Sequence, residues 1–105
     1  MIANAANYPA ILNEFAWRIL TDRQIKRRDF ELALRASKAA FETSGGNTVP
    51  IMDTYARALF QAGKRAEAIQ LEKKAIEACN DVHFRPELES VLKRFERLSR
   101  EQPIK

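Results

Sequence analysis

The residues of this 105-residue chain that could do acid–base, nucleophilic or metal chemistry are few and scattered. Its one histidine, His83, has no serine, cysteine or paired carboxylate beside it, so no nucleophile and base come together there and it reads as a loop residue. Cys79 is the one cysteine, which excludes an intramolecular disulfide, and with a single histidine no zinc-ligand set is available. Cys79 falls at the end of an apolar stripe, where it reads as a small core filler rather than a reactive thiol. No CxxC, P-loop or GxGxxG spacing occurs. The expectation is a non-enzymatic chain with no cofactor and no metal.

What remains is charge and aromatic surface. Lysine and arginine number 18 against 14 acids, for a formal charge of +4 and a pI near 9.5. That excess is mild and, spread over several helices, makes an ordinary solvated surface. The densest cations, Arg23, Lys26, Arg27 and Arg28, with Arg35 beyond them, could touch phosphate. Recognition of nucleic acid also needs interleaved aromatics or a reading helix, and the segment has neither, so it reads as a solvated basic loop. Asp53 and Arg57 stand four apart, an exposed helical pair worth a few tenths of a kcal/mol. Trp17 and Phe15 read as packing aromatics rather than ligand platforms; with Trp17 in the core, Trp17→Ala is expected to cost ~3–5 kcal/mol.

The elements that position these residues are helical. Glycine (3) and proline (4) are scarce, and 46% of the residues are hydrophobic against 30% charged, the balance of a soluble domain. A chain this long buries roughly 60–65% of its unfolded surface. Leu12, Phe15, Ala16, Ile19 and Leu20 form a first stripe over about 9–22, with Pro9 in the first turn. Asp29 is a plausible N-cap for a second helix, whose stripe is Phe30, Ala33, Leu34, Ser37, Ala40 and Phe41. Ser44-Gly45-Gly46-Asn47 is a tight turn. Met52, Tyr55, Ala56, Leu59 and Phe60 then carry a third helix, with Pro50 in its first turn and Thr48 or Asn47 as cap. Gly63 ends it in the left-handed conformation, and Ala66, Ala68, Ile69, Leu71, Ala75 and Ile76 carry a fourth, folded back antiparallel. Leu88, Val91, Leu92, Phe95 and Leu98 make a strongly amphipathic fifth helix from Pro86. Met1–Asn7 and Glu101–Lys105 are expected to fray. No run approaches ~18 apolar residues, and Met1–Ala10 lacks a basic start followed by an apolar core, so the expectation is no membrane span and no export signal of its own. That gives a cytoplasmic placement by default, or a periplasmic one if the chain is a piece of an exported protein.

The two hairpins repeat. Trp17 pairs with Met52, Leu20 with Tyr55, Thr21 with Ala56, Ala33 with Ala68, Leu34 with Ile69 and Ala40 with Ala75, all at an offset of 35. At these residues the chain resembles a degenerate tetratricopeptide repeat pair. Trp17, Leu20, Ala33 and Ala40 match the first unit, and Leu59 (for the tyrosine), Gly63, Ala68 and Ala75 the second. The close-contact glycine is replaced by Thr21 and Ala56, the second-helix aromatic by Ser37 and Glu72, and the closing proline is missing from both. A narrower likeness, in "NEFAW", "DFELALRASKAAFE" and "MDTYARALFQAGKRAEAIQLEKKAIE", is to degenerate pairs that end larger bacterial proteins, including thioredoxin-like ones. The fold implied is all-α: hairpins over 9–43 and 48–79, in the manner of a tetratricopeptide-like α-α superhelix, and a capping helix over 86–100.

The resemblance also implies a place for function. In that family partners bind the concave side, lined by the first helix of each hairpin. Carried over, this face holds Phe15, Arg18, Ile19, Asp22 and Lys26, then Asp53, Thr54, Arg57, Phe60 and Gln61. Arg18 and Arg57 would hold a carboxylate of a partner peptide, with Phe15 and Phe60 as apolar contacts. Asp22 and Thr54 stand where chaperone-tail binders carry asparagines, which argues against that partner. The expectation is a module binding a protein or peptide of unassigned identity. The alternative is an accessory or oligomerisation domain of a larger protein, since two hairpins fall below the roughly three that make a self-sufficient solenoid.

Overall fold

The computed structural model describes residues 8–101, and the frayed ends expected at Met1–Asn7 and at 102–105 lie outside them. Five helices follow in order: α1 (Tyr8–Thr21), α2 (Phe30–Thr43), α3 (Val49–Gln61), α4 (Arg65–Ala78) and α5 (Arg85–Glu101). Among the described residues there is no strand, and the architecture is all-α. α1 packs on α2 and α3 on α4, giving two helical hairpins; α2 and α1 then contact α3, and α5 lies on α4. Glu101 closes α5, so the helix runs slightly further than its sequence pattern suggests.

Local chemistry sets the boundaries. Asp29 accepts the Leu32 N–H at 3.0 Å and so caps α2, satisfying one of the donors that a helix start leaves unpaired. Thr48 holds the N-cap position of α3 but makes no side-chain cap there; Pro50 in the first turn presets the helical φ instead. The turns that close α3 and α2 use one device. The Gly63 N–H donates to Phe60 O at 3.1 Å and the Lys64 N–H to Leu59 O at 2.9 Å, with Gly63 at φ +89°. Gly45 and Gly46 repeat it after α2, donating to Glu42 and Phe41. These are Schellman closures, which require a residue in the left-handed region.

The core lies where the stripes converge. Met52, Ala56, Leu59, Phe60, Ala68, Leu71, Ala75, Cys79, Leu88, Val91 and Phe95 form one buried cluster, with Leu34, Phe41 and Tyr55 against it. The repeat is visible in burial: Ala33, Ala40, Ala68 and Ala75 are each fully buried, which allows the paired backbones to approach closely. Ala66, expected on the α4 stripe, is exposed; Glu72 occupies the buried line with Ala68, Leu71 and Ala75 instead. Phe95 of α5 stacks on Phe60 of α3 with ring centroids 4.2 Å apart, so α5 completes the core of the second hairpin.

Candidate functional site

The helices α1, α3 and α5 line a common groove. A cavity of about 240 Å³ toward its N-terminal end is walled by Asn13, Glu14 and Trp17 of α1, Pro50, Asp53 and Thr54 of α3, Phe84 of the turn before α5 and Glu87 of its first turn. A tighter one of about 70 Å³ continues toward the C-terminal ends, between Leu20, Thr21, Arg57, Gln61, Arg94 and Phe95. Spacing explains the α1 residues: 13, 14, 17, 20 and 21 share one helical face.

The floor of the groove is a polar network threaded through the core. Arg57 Nε donates to both Asp53 carboxylate oxygens, at 3.3 and 3.2 Å, with Asp53 only 2% exposed. Its Nη2 lies 3.6 Å from Glu87 Oε2, and its guanidinium sits 4.8 Å from the Trp17 ring centroid. One arginine thus ties α1, α3 and α5 together through ion pairs and a cation–π contact. Behind Asp53 lies Glu72 of α4, fully buried, whose two carboxylate oxygens accept no hydrogen bond. Burial first, then the negative charge of Asp53, push Glu72 up to about 9. At neutral pH it is therefore an uncharged carboxylic acid, and Arg57 and Arg94 oppose the shift only in part.

The structure redistributes the expected site. Asp53 and Phe60 are buried, Phe60 under Phe95, and cannot serve as open contacts. Ile19 is in the core. Arg57 is engaged by Asp53, Glu87 and Trp17 and is not a free clamp for a partner carboxylate. Thr54 is buried at the cavity wall with its hydroxyl donating to Pro50 O, and Gln61 reaches the tighter cavity. Phe15 and Arg18 lie roughly 100–160° around α1 from Trp17, on the side turned away from the groove, and Asp22 follows the end of α1, its carboxylate accepting the Gln24 N–H at 2.9 Å. Lys26 is in the connector after α1, where Arg28 Nη1 donates to Ile19 O at 2.6 Å. The groove and its floor also hold Asn13, Glu14, Glu72, Phe84, Glu87 and Arg94, none of which the sequence pattern singles out for this face. For Glu72 a signal existed: it interrupts the stripe Ala68, Leu71, Ala75, in register with buried Ser37 of α2. Trp17, expected in the core, is half-buried as a wall of the cavity.

Among the described residues no group of three or more His, Cys, Asp or Glu could hold a metal ion, and no helix is long and apolar enough to cross a membrane. Cys79 is buried at the C-cap of α4, as its stripe position requires. His83 is an exposed residue of the turn into α5, its N–H held by Asp81 at 2.8 Å. No family model, curated protein or solved structure matches this chain.

Proposed function

We propose that this chain is a non-enzymatic protein-interaction module of degenerate tetratricopeptide-like hairpins, and that a partner's peptide segment occupies the groove lined by α1, α3 and α5. The observation carrying this reading is the cavity at the junction of the three helices, walled by the rings of Trp17 and Phe84 beside the carboxylates of Glu14 and Glu87. Arg57 braces three helices beneath it, so the surface is ordered before a partner arrives and less conformational entropy is lost on binding. Selection from a random peptide display library, with enriched peptides mapped by amide chemical shifts, tests the reading. The expected shifts centre on Asn13, Trp17, Thr54 and Glu87. Peptides that shift only residues outside the groove, or no enrichment, would sink it.

A second reading, an accessory or oligomerisation domain, draws on another feature. Tyr8, Ile11 and Phe15 are 52%, 54% and 48% exposed and follow one another at helical spacing on the outer side of α1. A mass that rises with concentration in light scattering, reversed by Phe15→Ser, would favour it; a strict monomer would count against self-association.

A further inference from the structure

We propose that the cavity between α1, α3 and α5 receives a lysine or arginine side chain of the partner, its stem between Trp17 and Phe84 and its charged head between Glu14 and Glu87, above the Asp53–Arg57 pair. The inference rests on the groove being the binding surface and assigns the chemistry of what enters it.

The polar lining consists largely of acceptors. Glu14, Asp53 and Glu87 contribute carboxylates, Asn13 Oδ1 is buried without a hydrogen-bond partner, and the Thr54 hydroxyl is already committed to Pro50 O. Three carboxylates against the one guanidinium of Arg57 leave two negative charges here, on a chain whose formal net charge is +4. A partner carboxylate, the ligand the sequence pattern suggests for this face, would meet like charge; a cation meets its complement.

Size and wall chemistry narrow the cation. About 240 Å³ is below the roughly 300–1,000 Å³ of pockets that enclose a whole small molecule, but it can take one long side chain. Lysine and arginine lay an aliphatic stem along apolar surface while the head stays with polar groups, which matches aromatic walls with carboxylates. Arg57 already shows the geometry from below, its guanidinium over Trp17 while it pairs with Asp53 and Glu87.

The test uses the full chain, isotope-labelled, with acetylated and amidated pentapeptides of alanine carrying lysine, arginine, norleucine or glutamate at the centre. Lysine and arginine probes are expected to shift the Trp17 indole N–H and the Asn13 and Glu87 amides saturably, and more weakly as salt is raised. Glu14→Gln and Glu87→Gln, both at exposed positions, should each weaken that binding about threefold, Glu14→Gln without altering the melt. Norleucine binding equally well at the same residues, or glutamate binding better, overturns the cation assignment and leaves the groove reading intact. No shift from lysine or arginine up to about 10 mM also overturns it. The library selection judges the groove separately, so the two failures are told apart.

Discussion

Glu72 is the residue at which the fold departs most from ordinary solution chemistry. Fully buried and facing Asp53, it keeps its proton up to about 9, whereas an unfolded chain releases it near the ordinary glutamate value of 4.5. Unfolding between those values therefore frees a proton. Its contribution is fully present below about 4.5, declines by up to about 1.4 kcal/mol per pH unit as pH rises through the window, and levels off above about 9. Urea titrations at pH 6 and pH 9 should show the native chain losing stability and Glu72→Gln, uncharged throughout, keeping it; parallel losses would show that Glu72 is ionised in the fold. Trp17 is the other residue whose role the structure changes. As a half-buried cavity wall that shares Arg57 it is expected to cost about 2 kcal/mol on Trp17→Ala, less than a core tryptophan. A midpoint shift equivalent to 4 kcal/mol or more, on the scale of core truncations, would return it to the core.

At the scale of elements, the turns determine the hairpins. Gly63 at φ +89° closes α3 through two backbone hydrogen bonds and lets α4 reverse direction in three residues, 62–64. Gly63→Ala puts a Cβ where L-residues pay roughly 1–2 kcal/mol, so the melting temperature should fall by several degrees for a domain of this size. An unchanged melt would mean that the turn relaxes to another conformation. Much of this level was legible in advance, because glycine placement, the Asp29 cap and the apolar stripes act over a few residues. What the pattern could not supply was the rotation of α1. Phe15 belongs to the apolar stripe by spacing yet is half exposed, while Asn13, Glu14 and Trp17 face the groove. An apolar stripe gives one direction of burial, but α1 has two neighbours, α2 and α3, and their relative placement decides which residues fall between them.

For the whole molecule, α5 does more than shield an end. Leu88, Val91 and Phe95 are buried, Phe95 stacks on Phe60, and Glu87 helps line the groove, so this helix finishes both the core and the site. Phe95→Ala should cost about 3–5 kcal/mol, and because Phe60 belongs to the same cluster the loss should appear as one cooperative transition at a lower midpoint. Early melting of α5 by itself, with hairpins unaffected, would show that it is only a cover. The sequence by itself determined five amphipathic helices, the Asp29 cap and the glycine turns, and two hairpins related at an offset of 35, because propensity, capping and periodicity are local and each residue reports on its own turn. Only the tertiary structure decided that Asp53 and Phe60 go inside, that Arg57 is engaged from three helices and that Glu72 keeps its proton. These depend on charges and rings brought together from α1, α3, α4 and α5, and desolvation and Coulomb coupling are set by distances in space that no local pattern encodes.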